Sequence, residues 1–335
     1  MATSPRQSAE RDYFTDRSVL LDPYDFFEGV RARGPVAELE ARDALLVTGF
    51  DECVEVLLNK EDFSSALATN PLAPLPFAPE GDDIAAQIDA YARAIRPQDL
   101  LVNYDGEFHA AARSLLNPLF VPSRLKANEA FMHDLADRMA REMVGKGGGE
   151  IIAEVATPYV TLVIADLLGV PAEDRQQFRE AIDTGGHAGD IDNPEAVQGS
   201  AALIFMGTYF FRYLSERRAA PRDDVMTLLA NARFPDGSIP DIVEPAKAAM
   251  FLFAAGQDTS AKLLGNSMRY LAENTAMQDR LRADRALIPA FMEEMLRLEG
   301  STKATFRIAV RKTRIGDVEV PAGKRVVVGL AAANR

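Results

Sequence analysis

The side chains with the clearest potential for chemistry lie in a short run from Phe251 to Ser260. In a helix, Ala255, Gly256 and Thr259 share one face at spacings of three and four, so a flat or bulky partner can approach that face closely. Asp258 and Thr259 then place an acid and an alcohol beside the gap, two groups able to exchange protons. The alternative is close helix–helix packing with the polar side chains in solvent, and the run alone leaves both interpretations open.

Two further pairs have helical spacing. Glu294 and Arg297 are three apart in an apolar stretch, which predicts an intrahelical ion pair of a kind common on protein surfaces. His109 and Arg113 are four apart, which places both on one helical face. A lone histidine is more often a residue with a satisfied hydrogen bond than a ligand, so neither pair identifies a site by itself.

The chain contains a single cysteine, Cys53. One thiol excludes an intramolecular disulfide framework and a thiolate-rich metal site. Cys53 lies in Asp51–Leu58, which has the pattern of an amphipathic helix, where a cysteine is usually a small buried apolar residue.

Helical periodicity extends from about Ile84 to Glu299 and predicts a helix from roughly Pro240 to Asn274 that carries the acid and the alcohol. Strand-like stretches occur only near the two ends of the chain, and we expect them to share one small sheet, with a hairpin at Pro321–Gly323 between the last two. The predicted strands are Val36–Leu39, Ala44–Val47, Phe306–Val310, Val318–Val320 and Arg325–Leu330. The predicted fold is mainly α with a small β-sheet region.

Three segments are predicted to be loops because they are rich in proline or glycine: Asn70–Gly81, Lys146–Gly149 and Thr184–Gly199. The first also carries Leu72, Leu75 and Phe77. Such segments have little burial to hold them, so they either cover a pocket or merely connect elements at the surface. The sequence leaves these alternatives open.

Composition limits the class of protein. The 335 residues include 50 acidic and 37 basic side chains, and the net charge of −13 disfavours nucleic acid and anionic membranes as partners. The first residues lack an export segment, and the longest nearly apolar run, Ala248–Gly256, is far too short to span a bilayer. We therefore expect a cytoplasmic protein, and no linker divides residues 1–335 into more than a single domain.

The order of the motifs resembles that of the cytochrome P-450 family. The helix with Ala255–Thr259, the helix with Glu294 and Arg297, the strand at Phe306–Ile308 and the turn at Pro321–Gly323 follow one another as they do in that family. Segments similar to soluble bacterial members extend the resemblance over nearly the whole chain: Asp22–Val36, Phe63–Ser65, Asp105–Arg113 and Ile164–Pro171.

The resemblance implies a cytochrome P-450 fold and a haem b cofactor. His109, Arg113 and Arg307 would bind the haem propionates, and Ala255 would also belong to the cofactor site. Asp258 and Thr259 would deliver protons during oxygen activation, with the Thr259 hydroxyl as the relay. Gly256 would open the helix for a water molecule.

The resemblance also implies roles for other residues. The expected substrate-facing side chains are Phe251, Ala254, Thr305, Leu72, Leu75 and Phe77. Glu294 and Arg297 would form a desolvated ion pair with a structural role, because burying such a pair needs further partners. His133 and His187 match no motif of the family.

The function implied is a monooxygenase that inserts one oxygen atom from O2 into an apolar small molecule. Electrons would come from NAD(P)H through a reductase and a ferredoxin. The cysteine that binds the haem iron in the family is expected beyond Arg335, so the sequence is expected to be truncated at its C-terminus. The alternative is a non-catalytic truncated relative, a helical protein that binds an apolar ligand or a partner.

Overall fold

The computed structural model describes residues 11–95, 99–183 and 201–335; the predicted loop Thr184–Gly199 and His187 lie outside the described residues. Helices dominate, as predicted. Those described are α1 Arg17–Leu21, α2 Tyr24–Arg31, α3 Phe50–Leu58, α4 Ala85–Ile95, α5 Gly106–Ser114, α6 Pro122–Gly145, α7 Thr157–Leu167, α8 Arg175–Asp183, α9 Ala201–Ala219, α10 Val225–Ala230, α11 Val243–Glu273, α12 Thr275–Ala283, α13 Ile288–Glu299 and α14 Leu330–Ala333.

The strands lie near the two ends of the chain. They are β1 Val36–Leu39, β2 Ala44–Val47, β3 Phe63–Ser64, β4 Thr305–Ala309, β5 Thr313–Ile315, β6 Val318–Val320 and β7 Arg325–Val328. The chain divides into two compact units. Unit 1 comprises Met1–His109 and Thr302–Arg335, and unit 2 comprises Ala110–Ser301.

Unit 1 is built on a five-stranded sheet in the order β1-β2-β7-β4-β3. The early strand β2 pairs in parallel with the late strand β7, with Ala44 opposite Arg325, and β4 pairs antiparallel with both β7 and β3. The prediction that strands from the two ends share one sheet is confirmed for β1, β2, β4 and β7, but not for β6, which pairs with β5 in a separate two-stranded sheet. Apolar side chains on β2 and β7 are buried on both faces, where α2 and α3 cover them.

The prediction of a hairpin at Pro321–Gly323 is wrong. A turn does form there, and Gly323 adopts a φ of +83°, but the flanking strands β6 and β7 belong to different sheets. Strand β7 has both edges occupied by β2 and β4, so it cannot pair with β6. The hairpin instead joins β5 and β6 across Gly316 and Asp317, where Gly316 supplies a φ of +53°.

Unit 2 is helical, and α11 lies at its centre, packed against α7, α9 and α13. The predicted bounds of this helix, Pro240 to Asn274, are confirmed to within three residues at each end. Its buried Phe253 contacts the rings of Phe178 and Phe210. No helix among the described residues is long and apolar enough to cross a membrane.

Candidate functional site

Helix α11 carries the predicted acid and alcohol in unit 2. It is α-helical without a break from Val243 to Glu273. The Thr259 side chain is exposed, and its hydroxyl donates a hydrogen bond to the Ala255 carbonyl oxygen at 2.9 Å. That bond is local to the helix, so the hydroxyl oxygen keeps lone pairs able to accept from a water molecule.

Asp258 is tied to a residue that the sequence interpretation missed. The Lys262 ammonium donates to Asp258 Oδ2 at 2.7 Å, and the Asp258 side chain is 24% exposed. The i, i+4 spacing of an acid before a lysine was the available signal. The ion pair orients the carboxylate, and its partial exposure keeps it in contact with solvent.

Gly256 faces a different way from its neighbours. A Cβ at this position would lie 3.0 Å from Ile164 Cδ1 on α7, so the glycine allows close approach of the two helices. Ala255 and Thr259 are exposed, whereas Gly256 is partly buried. The helix opening predicted at Gly256 is not observed, because the α-helical hydrogen bonds continue through this turn. Close packing therefore explains the glycine.

The predicted substrate-facing residues of α11, Phe251 and Ala254, are both half-buried. Phe251 lies two residues before Phe253, which is fully buried and anchors this turn of the helix in the core of unit 2. The helix thus holds the segment from Phe251 to Thr259 in a fixed rotation, with Thr259 on its exposed side.

The predicted cations of α5 are both exposed. His109 and Arg113 lie one helical turn apart, and neither side chain has a carboxylate partner among residues 11–95, 99–183 and 201–335. Two cationic or hydrogen-bonding groups at this spacing can bind an anionic group together.

Arg307 on β4 is half-buried in unit 1. Its Nη1 donates to the Phe306 carbonyl at 2.7 Å and lies 3.4 Å from Thr305 Oγ1, and it forms no ion pair with the described residues. Burial lowers the pKa of Arg307, and the charge of Asp105 opposes that shift. A partly desolvated guanidinium that has only neutral hydrogen-bond partners favours a nearby anion.

Asp105 is a second residue that the sequence interpretation missed. Its carboxylate accepts a hydrogen bond from Ser64 Oγ at 2.5 Å and from the Ser65 backbone N–H at 3.0 and 3.1 Å. Asp105 directly precedes α5, the usual place for a capping acid, but the sequence could not show that Ser64 and Ser65, at the end of β3, supply the donors.

Comparison with known proteins decides the family. Cytochrome P-450 144 of Mycobacterium tuberculosis is 30% identical over 322 residues, which cover 94% of this chain and 71% of the relative. The structure of the substrate-free cytochrome P-450 CYP150A6 of Mycobacterium marinum matches with a TM-score of 0.89 and 43% identity, over 98% of this chain and 77% of that one. The chain belongs to the cytochrome P-450 family.

Other comparisons agree with this assignment. The testosterone complex of CYP109E1 from Bacillus megaterium, a further cytochrome P-450, matches with a TM-score of 0.76 and 28% identity over 94% of this chain and 77% of that one. No protein-family model matches the chain. This cytochrome P-450 is thus an oxidoreductase of the haem-dependent monooxygenase class, and its relatives use small organic substrates and redox partners.

The cofactor of the P-450 family carries two carboxylates, so its fit can be tested on the cations of this chain. Arg307 is the informative residue, because its guanidinium is partly desolvated without an ion pair in the described residues. His109 and Arg113 are likewise without a carboxylate partner there. The chemistry of each of these cations therefore fits an anionic cofactor.

Cys53 does not fit the role of iron ligand in this P-450. Its side chain is 2% exposed, lies in an apolar cluster of unit 1 and is 3.5 Å from the Val47 carbonyl oxygen. Burial raises the pKa of the thiol to about 11, whereas a metal ligand must be a thiolate. The prediction of a small buried apolar residue is confirmed.

The Glu294–Arg297 pair of the P-450 forms as predicted, but it is not desolvated. Arg297 Nε and Nη2 donate to the two Glu294 carboxylate oxygens at 2.8 and 2.6 Å. The Arg297 and Glu294 side chains are 44% and 52% exposed, respectively, so the prediction of a buried pair is wrong for the described residues. The hydrogen bonds lower the pKa of Glu294 and raise that of Arg297.

The proline-rich segment of the P-450 lies on unit 1. Leu75 and Phe77 pack against a buried cluster that includes Ile84 and Ile308, whereas Leu72 is 40% exposed. Arg325 Nη2 donates to the Ala73 carbonyl at 2.7 Å and fastens the segment to β7. Leu75 and Phe77 thus help to anchor the segment.

Proposed function

We propose that this cytochrome P-450 binds haem b and inserts one oxygen atom from O2 into an apolar small molecule. In this proposal electrons come from NAD(P)H through a reductase and a ferredoxin. The observation that carries the proposal is Arg307, a half-buried cation without an ion pair in the described chain. It supports a bound anionic group, and the haem of the family carries carboxylates of that kind.

His109, Arg113 and Arg307 would hold the haem through its propionates. Arginine suits this role because its planar guanidinium binds a carboxylate through two parallel hydrogen bonds. Ala255 would lie against the ring, where its small side chain allows close approach. When bound, the haem iron supplies the binding and activation of O2.

Thr259 and Asp258 would deliver the protons that oxygen activation consumes. The Thr259 hydroxyl donates to the Ala255 carbonyl at rest; to act as a relay it would turn away from that carbonyl, donate its one proton, and accept a replacement proton from water. Asp258 would exchange protons with solvent, and Lys262 would hold its carboxylate in place between exchanges. Gly256 supports this arrangement through its contact with Ile164.

An apolar substrate is proposed because the expected substrate-facing residues are apolar or small: Phe251, Ala254, Thr305, Leu75 and Phe77. The testosterone-bound relative supports a substrate that is a largely apolar small molecule. Leu75 and Phe77 already contact the core of unit 1, so their contribution would come from the faces that remain accessible.

The experiment that tests this proposal is the carbon monoxide difference spectrum of the reduced product of the intact gene. We expect the Soret band of a haem thiolate, and we expect the same band from Cys53→Ala, since Cys53 is buried with a raised pKa. A folded protein that gives no such band would refute the monooxygenase proposal and leave a non-catalytic binding protein. Loss of the band only in Cys53→Ala would show that Cys53 is the ligand.

Substitution of the cations should weaken haem retention. A hydrogen bond to a charged group contributes about 1.5–3 kcal/mol, so His109→Ala, Arg113→Ala and Arg307→Gln should each speed haem dissociation by about tenfold or more. The measurement is the rate of haem transfer to excess apomyoglobin. His133→Ala is the matched control, because His133 is 80% exposed and lies on α6 beside Glu129. Unchanged rates in all three variants would remove the propionate assignment.

A further inference from the structure

The carboxylate of Asp105 connects the start of α5 to the end of β3. It binds the hydroxyl of Ser64 and the backbone N–H of Ser65 at the end of β3. Ser64 is 5% exposed, and its hydroxyl oxygen also accepts from the Ala66 N–H at 3.0 Å. Each of these contacts is charge-assisted or buried, so the set is more rigid than a solvent-exposed cap.

The same residue fixes the first turn of α5. The Asp105 carbonyl oxygen accepts the His109 N–H at 3.1 Å. His109 therefore follows any displacement of Asp105 directly, because one backbone hydrogen bond joins them. The position of the end of β3 therefore fixes the backbone position of His109, from which the imidazole extends.

Strand β4, which pairs with β3, carries Arg307. Ser64 lies opposite Ile308 in the antiparallel pairing of β3 and β4, and Arg307 directly precedes Ile308 on β4. Asp105 and Arg307 are not ion-paired, but the charge of Asp105 acts on the guanidinium. Asp105 is thus joined to β3 one register position from Arg307, and both of its carboxylate oxygens are already bound to Ser64 and Ser65.

We propose that Asp105, held by Ser64 and Ser65, is a positioning residue that sets the spacing of His109 and Arg307 for the haem propionates. It acts through hydrogen bonds rather than by touching the cofactor, and its own negative charge limits the positive potential there. This inference rests on the proposed haem-binding role of His109 and Arg307.

The variant Asp105→Asn removes the charge of the side chain but keeps its size and shape. Asparagine remains a good helix cap and can still accept from Ser65, but it loses the charge and one acceptor oxygen. We expect haem transfer to apomyoglobin from the holoprotein to become about three- to tenfold faster, because the lost charge-assisted hydrogen bond from Ser64 is the larger effect and the weaker repulsion of the propionates the smaller one. Ser64→Ala should change the rate in the same direction, and Ser64→Thr, which keeps the hydroxyl, should restore it.

The haem reduction potential distinguishes positioning with charge from a merely structural role. Asp105→Asn should shift the potential to more positive values, because removing a negative charge favours the reduced haem. Ser64→Ala leaves the charge and should not shift it. Equal shifts in both variants, or none in either, would overturn the proposal.

A double-mutant comparison separates this inference from the proposed function. If Asp105 acts through His109 and Arg307, then Asp105→Asn should add little to the faster transfer of the double variant His109→Ala, Arg307→Gln. Full additivity would contradict positioning through these two residues. If His109→Ala and Arg307→Gln do not change haem transfer, the proposed haem site fails. If they do and Asp105→Asn does not, only the role of Asp105 fails.

Discussion

Replacing Thr259 with alanine should leave a folded, haem-containing enzyme that consumes NAD(P)H but releases mainly hydrogen peroxide. The Thr259 hydroxyl bonds only within its own helix among the described residues, and alanine has the higher helix propensity, so stability should be kept. Positioned proton transfer commonly contributes a factor of about 10²–10⁴, so product formed per NAD(P)H should fall by at least about tenfold.

Thr259→Ser is the matched control for this prediction. Serine keeps the hydroxyl and can repeat the bond to the Ala255 carbonyl, so most of the coupling should be retained. The measurement is the ratio of product and peroxide to NAD(P)H consumed, with a substrate found by screening. An unchanged ratio in Thr259→Ala would refute the relay, whatever its effect on the overall rate.

Phe253→Ala should produce the largest loss of stability, lowering the free energy of unfolding by about 3–5 kcal/mol. Phe253 is fully buried on α11, with its ring centroid 5.2 Å from that of Phe178 and 6.5 Å from that of Phe210. Removing the ring leaves a cavity that the surrounding helices cannot fill, because they are held by their own contacts.

Met268→Ala serves as the control on the same helix. Met268 is 47% exposed, so its truncation should change the free energy of unfolding by no more than about 0.5 kcal/mol. Urea unfolding of the holoprotein, followed by circular dichroism, measures both variants. A loss below about 1 kcal/mol for Phe253→Ala would show that α11 is not the packing centre of unit 2.

Local sequence patterns were sufficient to predict those features that depend on the spacing of nearby residues. The apolar periodicity of α11 predicted its length, and the strand-like stretches Val36–Leu39 and Ala44–Val47 predicted β1 and β2, of which β2 is found beside β7. The ion pair of Glu294 and Arg297 also follows from spacing alone. Its exposure does not, because burial depends on which distant elements cover a helix.

Features set by long-range packing could not be predicted. The turn at Pro321–Gly323 has the chemistry of a hairpin, but pairing was decided by the two strands that already flank β7. From the sequence, Gly256 could have faced a ligand or a helix; in the structure it faces Ile164 on the neighbouring helix α7. Asp105 has the signature of a helix cap, whereas its donors, at the end of β3 and just after it, lie 41 and 40 positions away.

The pairing of β2 with β7 also affects how the protein folds while it is being synthesised. Lys324, just before β7, binds Asp43, just before β2, across 281 positions of the chain. At a synthesis rate of roughly 5–20 residues per second, β2 therefore waits roughly 15–55 s for its partner strand. During that interval its backbone edge is open to other chains. Slow translation of the middle of the gene, or a shortage of chaperones, should therefore reduce the yield of folded protein more than mutations on the surface of α6.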